Sequence, residues 1–347
     1  MALIYNATFD SGTRVLSLLD KAGNVISSCE VPSKSNVDDI TKPLTFKATQ
    51  DGSTVKLKKQ GTPSGDFQTS RDGGNTWVDY TLDTAITLNT GDEVSFRAKA
   101  DRTSSQAFNK YFQFNMTGKI EAWHNVMSMY RTNDFSTYKT VRDYAFHKLF
   151  KDCVSLTKAP VLPATTLATD CYDSMFLSCL SLTKAPELPA TTLANSCYRN
   201  MFQDCQSLTK APELPATTLA SGCYTSLFLS CQSLTKAPEL PATTLTDYCY
   251  AFMFKGCQSL TKAPELPATT LDNNCYKSMF SGCQSLKEVR ISATRTETGA
   301  LNEWLSGVST TGDFYCDPNA TIFPTDSASG IPANWTRHAL ADYPVTP

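Results

Sequence analysis

Hydrophobic and polar residues alternate in the manner of β-strands along residues 43–128. "LTFKAT", "TVKLKK", "TWVDYTL", "AITL", "EVSFRAK", "YFQFNM" and "KIEAW" each switch between apolar and polar positions, and Gly, Asp, Asn and Ser clusters separate them. A period of two places one row of side chains on each face of a strand, so this region predicts an all-β sandwich of seven to nine strands. Upstream, "ALIYNATF", "RVLSLL" and "VISSCEV" predict three short strands within residues 1–38, followed by a linker at "PSKSNVDD".

The pattern changes after residue 130. "CQSLTKAPELPATTL" at Cys205–Leu219 returns unchanged at Cys231–Leu245 and Cys257–Leu271. Five full copies of a 26-residue unit start at Cys153, Cys179, Cys205, Cys231 and Cys257. A half copy, "AFHKLFKDC", leads them, and a degenerate one, "CQSLKEVRIS", follows. Within a copy, Pro212 and Pro215 forbid a helix and remove two donors, so "SLTKAPELP" reads as a short extended segment. Leu219, Cys223, Leu227 and Cys231 then fall at i, i+4, i+8 and i+12 beside Tyr224 and Phe228, which predicts a short helix with one apolar stripe. A unit of this size cannot bury its apolar face alone and must stack on its neighbours. The prediction is therefore an α/β leucine-rich-repeat solenoid over 131–290, after a short docking segment at 1–38 and a sandwich at 39–130, and closed by a cap at 291–347. "LNEWLSGVS" in that cap reads as a short helix ending at Gly307.

The phrase "LPATTLxxxCYxxMFxxCxSL", five times repeated, resembles the BspA-like leucine-rich repeat, and Ala145, Phe146 and Cys153 stand nearest that family's Ala-Phe-x-x-Cys pattern. The resemblance implies a right-handed solenoid used in adhesion or display. The N-terminal segment, the sandwich, the repeats and the "WLSGVSxTGxFY…GIPxxWT" ending together resemble fibre or tail-appendage proteins of phages and prophages of gut anaerobes. That likeness implies a virion protein assembled in the host cytoplasm. The N-terminal segment would dock to other virion proteins, and the repeats would meet a host-surface glycan or protein. A bacterial surface adhesin is the alternative. The start of the sequence has no secretory signal pattern, which agrees with the virion reading. A fibre suits a homo-trimer, although no heptad repeat enforces one.

Composition narrows the chemistry. The net charge of −2, with no basic stripe, argues against nucleic acid, and no apolar run is long enough to insert into a membrane. Eleven of the thirteen cysteines fall on two 26-residue ladders, Cys153 to Cys283 and Cys171 to Cys275. Their spacings of eight and eighteen are not those of structural zinc sites, so the thiols read as buried packing groups rather than metal ligands. "SRDGGNTW" at Ser70–Trp77 is similar to the Asp-box hairpin of sialidases, but one copy without a catalytic Tyr–Glu pair reads as a turn. No catalytic residue, cofactor or metal site is assigned, and the reading is non-enzymatic. Lys158, Lys184, Lys210, Lys236 and Lys262 recur at one position, and Glu187, Glu213, Glu239 and Glu265 three residues later. They read as a solvated, mutually paired surface, or as a polar platform. His147 reads as a solvated position. The candidate ligand contacts are Tyr248 and Phe252 among the variable positions, Tyr315 and Trp335 at the C-terminal tip, and Lys210, Glu213, Lys236 and Glu239 on the charged rows.

Overall fold

The computed structural model describes residues 6–10, 15–19, 22, 25–30, 37–59, 66–101, 112–325 and 328–343. Most of the linker read at 32–39, and the turns read in "SGTRV" and "SGDF", lie largely outside them. The chain forms two units, Met1–Asp39 and Ile40–Pro347. In the first, β1 (Asn6–Asp10), β2 (Val15–Leu19) and β3 (Val25–Glu30) form an antiparallel sheet in that order.

The second unit opens with β4 (Leu44–Ala48), β5 (Ser53–Lys59), β6 (Phe67–Ser70), β7 (Val78–Tyr80), β8 (Ile86–Leu88), β9 (Glu93–Ala98), β10 (Phe112–Thr117) and β11 (Ile120–Trp123). Inward residues alternate with outward ones: Val55 and Leu57 of β5 are buried, as are Phe112, Phe114 and Met116 of β10. One sheet runs β10-β5-β8. The other runs β12-β11-β4-β9-β6-β7, where β12 is Leu156–Lys158 in the first repeat. Rings from both sheets meet edge to face: Phe46 lies 4.7 Å from Phe114, and Phe67 lies 5.0 Å from Phe112. The parallel pairing of β11 with β12 and the stacking of Phe114 on Phe150 at 5.4 Å join this core to the first repeat without a break.

The repeats overturn the α/β leucine-rich-repeat solenoid. No α-helix occurs among the described residues, and regular strand is confined to small sheets. The segment read as a helix is a ribbon of four-residue turns. In the first full copy, Asp170, Ser174 and Ser178 have φ of 52°, 56° and 61°. The same three positions carry positive φ in every copy, from Tyr144, Lys148 and Asp152 to Gly299, Glu303 and Gly307. The last of these sets lies in the segment read as the cap's helix, which is turn ribbon as well. A left-handed residue every fourth position cannot propagate an α-helix. The occupants, mostly Ser, Asp, Asn and Gly, are those that tolerate that conformation and favour turns over helix.

The backbone accounting shows how the ribbon is held. The N–H groups of Cys171, Asp173, Met175, Leu177 and Cys179 donate three residues back, to Ala168, Asp170, Tyr172, Ser174 and Phe176. Those of Tyr172, Ser174, Phe176 and Ser178 donate instead to the carbonyls of Cys197, Arg199, Met201 and Gln203 in the next copy, at 2.8–2.9 Å. Alternate donors thus close the turn and join the copies, which meets the demand that buried peptide groups be paired. On the opposite side, Lys158, Lys184, Lys210 and Lys236 form a parallel ladder of single bridges, since the prolines remove neighbouring donors.

Side chains follow the four-residue period, two in and two out. Cys197, Tyr198, Met201, Phe202 and Cys205 are buried, while Arg199, Asn200, Gln203 and Asp204 are partly exposed. Equivalent inward rings meet their own copies: Phe176, Phe202, Phe228 and Phe254 stack at 5.7 Å, and Tyr172, Tyr198, Tyr224 and Tyr250 at 5.7–5.8 Å. Among the described residues, twelve cysteines are free and buried. Along one ladder the thiols of Cys179, Cys205, Cys231, Cys257 and Cys283 donate to the Phe carbonyl of the preceding copy at 3.0–3.2 Å. Each such carbonyl also accepts an N–H in its own copy, as Phe176 does from Cys179.

The stack continues beyond the last full repeat. β13 (Thr270–Leu271) pairs with β15 (Arg295–Thr296). β14 (Glu288–Arg290), β16 (Gly312–Cys316) and β17 (Trp335–Ala339) form a parallel sheet in the order β14-β16-β17. Trp304 takes the place of the ring column, donating from Nε1 to the Gly330 carbonyl at 3.1 Å.

Candidate functional site

The repeat geometry presents two surfaces: the outward corners of the turn ribbon and the charged face of the extended segments. On the ribbon, the left-handed positions stack copy upon copy. One column reads Tyr144, Asp170, Ser196, Gly222, Tyr248, Asn274, Gly299, and the next Lys148, Ser174, Asn200, Ser226, Phe252, Ser278, Glu303. Tyr248 (φ 55°) and Phe252 (φ 59°) therefore place two bulky rings, one turn apart, where neighbouring copies carry Gly, Asn or Ser. A left-handed L-residue costs roughly 1–2 kcal/mol, most readily relieved by Gly or Asn. Tyr248 is 38% exposed, the highest of any aromatic side chain among the exposed large hydrophobics. The ammonium groups of Lys255 and Lys277 lie 5.6 and 5.9 Å from the centre of the Phe252 ring, and neither forms an ion pair with a described residue. The sequence pointed to these two rings because they break the repeat; the strain that accompanies them follows only from the turn geometry.

Tyr315 and Trp335 are not surface contacts. Both are buried, at 8% and 7% exposure. Trp335 donates from Nε1 to the Ser309 carbonyl at 2.8 Å, and Tyr315 stacks on His338 at 4.8 Å and meets Tyr343 edge-on at 4.9 Å. Their position in parallel strands turns them inward, which sequence position near the C-terminus does not reveal.

On the charged face, Lys210, Glu213, Lys236 and Glu239 are exposed, with Ala211, Pro212 and Ala237 buried between the rows. The expected mutual pairing is absent in the middle of the stack. Lys184, Lys210, Lys236, Glu187, Glu213 and Glu239 form no ion pair with any described residue, because each charge meets its own copy above and below. Like charges about 5 Å apart repel by up to ~0.8 kcal/mol in water. Pairing appears only where the sign changes, at the last coil: Lys262 with Glu288 at 2.8 Å and Arg290 with Glu265 at 3.0 Å. There Tyr343 closes a trough of about 230 Å³ lined by Lys236, Glu239, Lys262, Pro264 and Glu265. A shallower trough of about 70 Å³ lies between Lys184, Glu187, Lys210 and Glu213.

His147 is also not solvated: its side chain is 12% exposed and lies 3.4 Å from Asp173. Asp173, 3% exposed, in turn meets Arg199 at 2.7 Å and accepts from the Ser174 hydroxyl at 2.7 Å. Burial pushes the Asp173 carboxyl up, but the nearby His147 and the hydrogen bonds from Arg199 and Ser174 outweigh it and hold it at about 2. Asp173 and Arg199 thus place opposite charges in adjacent coils and pair within the chain.

The Asp-box carboxylate is spent on its turn. Asp72 accepts from the N–H groups of Asn75 and Thr76 at 3.0 and 2.9 Å and from the Ser70 and Thr76 hydroxyls at 2.6 Å, which together lower its pKa. Trp77 donates to the Gly74 carbonyl at 2.9 Å beneath the Arg97 guanidinium, 4.1 Å away. Among the described residues, no group of His, Cys, Asp or Glu has the arrangement to hold a metal ion, and no helix is long and apolar enough to cross a membrane. No protein-family model matches the chain, and no curated protein matches it.

Proposed function

We propose that the protein is a non-enzymatic recognition and structural protein, an appendage of a phage particle whose stacked repeats present a host-binding surface. The observation that carries recognition is the pair Tyr248 and Phe252. Two bulky rings occupy left-handed positions that Gly, Asn or Ser fills in adjacent copies. Backbone strain retained at an aromatic pair, Tyr248 exposed and Phe252 half-buried, is the feature that supports binding as the reason for these residues. Lys255 and Lys277 beside it add positive charge to the ring surface. The particle assignment rests on the likeness of the N-terminal segment, sandwich, repeats and C-terminal ending to appendage proteins. The N-terminal sheet is the docking element in this reading, and a host glycan or protein is the ligand.

The experiment is binding of the purified chain to host cells, with immunogold labelling of purified particles. Tyr248→Asn with Phe252→Ser installs residues that the same columns already accept. We expect the double variant to fold at least as stably and to lose cell binding tenfold or more. Undiminished binding by that variant, or particles that carry no label, would refute the reading.

A further inference from the structure

The charged rows pose a separate problem. Elsewhere in the stack, opposite charges in adjacent coils pair internally: Asp173–Arg199 on the ribbon side, and Lys262–Glu288 and Glu265–Arg290 at the last coil. Lys184, Lys210 and Lys236 instead form an unbroken positive row, and Glu187, Glu213 and Glu239 an unbroken negative row beside it. We propose that this face is the contact surface for a second copy of this chain, laid face to face and pointing the same way along the stack.

The symmetry argument is specific. The rows are three residues apart, about 10 Å in extended chain. A two-fold axis parallel to the stack brings each lysine row over the other copy's glutamate row, coil against same-numbered coil. A two-fold axis across the stack would set lysine over lysine and glutamate over glutamate. The charge pattern thus selects the parallel arrangement, and identical coil spacing in both copies keeps the pairs in register along the whole row. The stripes also end where such a contact would end. At one end Val161 replaces the glutamate and Lys158 lies over the Trp123 ring at 3.8 Å. At the other, the last coil reverses both signs and pairs within the chain. A free polyanion would meet the glutamate row about 10 Å from the lysines, and a polycation the reverse, so neither matches both stripes.

Three coils of this width cover only about 200 Å² per copy, well below a free-standing dimer interface. The contact is therefore weak and salt-sensitive, suited to copies already held side by side. The test mixes unlabelled and ¹⁵N-labelled full-length chain at high concentration and low salt, then applies a zero-length carbodiimide cross-linker. Mixed-isotope cross-links joining Lys184, Lys210 or Lys236 to the glutamate of the same coil are expected, and at least tenfold fewer in 0.5 M salt. The triple reversals Lys184→Glu, Lys210→Glu, Lys236→Glu and Glu187→Lys, Glu213→Lys, Glu239→Lys should each abolish them, and mixing the two variants should restore association. These residues are exposed, and unchanged circular dichroism confirms that the variants fold. Cross-links only within one chain, links between opposite ends of the stack, or no rescue on mixing would overturn the proposal. None of those results bears on cell binding through Tyr248 and Phe252, so the two readings fail separately.

Discussion

Raising the pH should unfold the repeat stack, and its buried thiols set the size of the effect. Desolvation raises the pKa of every ladder cysteine, pushing Cys197, Cys249 and Cys283 up to about 12 and others, such as Cys231 and Cys257, well above the ordinary thiol range. An unfolded thiol ionises near 8.5. Above that pH the unfolded chain releases protons that the folded chain keeps, so stability is fully present below about pH 8.5 and is lost as pH rises toward about 12. The slope approaches about 1.4 kcal/mol per pH unit for each thiol. Four thiols opening together lose roughly 5 kcal/mol per unit, comparable with the whole stability of an ordinary domain, about 5–15 kcal/mol. The assay is thermal and urea unfolding in reducing buffer from pH 7 to 10.5, read by near-ultraviolet circular dichroism. We expect a steep fall above pH 9, before most tyrosines or lysines of the unfolded chain titrate. Removing one thiol by Cys231→Ala should lower stability at pH 7 by about 1–2 kcal/mol, through lost packing and the lost bond to the Phe202 carbonyl, and should flatten the alkaline slope by one thiol's share. A midpoint that stays level between pH 8 and 10.5 would refute the reasoning, since bridged, metal-bound or exposed sulfurs would give that result.

Other perturbations follow from the same stack. The Tyr224 hydroxyl is buried without a hydrogen-bond partner, while Phe146 fills the equivalent place in the leading copy; Tyr224→Phe should be neutral or stabilising by about 1 kcal/mol in urea unfolding. Gly282 occupies a left-handed position (φ 76°), which a β-branched side chain disfavours, so Gly282→Val should cost about 2 kcal/mol in the same measurement. The Asp173 carboxyl, held at about 2, contributes stability that is present above about pH 4 and lost as pH falls toward 2. Asp173→Asn should remove about 2 kcal/mol at pH 7 and flatten the acid limb of the stability profile.

Much of the architecture is written in the letters. Alternation in "TVKLKK" and "YFQFNM" marks β5 and β10, and the 26-residue period marks the stacking and its buried cysteines. The helix prediction fails because Leu219, Cys223, Leu227 and Cys231 keep a strict spacing of four. On an α-helix that row drifts about 40° per step, roughly 120° by the last residue, so it would leave one face. Tyr224 and Phe228 supply i+3 partners to Leu227 and Cys231, which is why a helix could be read there, but Ser, Asp, Asn and Gly recur at every fourth position as well. Those two signals together indicate consecutive turns. Burial of Tyr315 and Trp335, and the pairing of His147 with Asp173, lie beyond the reach of the letters because they depend on which non-neighbouring segments meet.

Why should a chain repeat its letters so faithfully? In a ribbon whose alternate N–H groups bond to the next copy, equivalent residues are nearest neighbours, so each inward position must fit its own duplicate. A phenylalanine stacks well on a phenylalanine at 5.7 Å, and a cysteine sulfur reaches the carbonyl one copy back. The same rule penalises charge, since a lysine placed on a lysine repels. The pair Asp173 and Arg199 avoids this by setting opposite signs in adjacent coils. Columns that keep one sign across copies stay unpaired within the chain, and the proposed facing copy would pair them. Exchanging sign in one middle coil, by Lys210→Glu with Glu213→Lys, should therefore create internal pairs with Lys184, Lys236, Glu187 and Glu239. We expect thermal stability to rise by about 1 kcal/mol at low salt, and that gain to vanish in 0.5 M salt. A loss of stability at low salt would show that the rows are not frustrated, and that the uniform sign needs no partner.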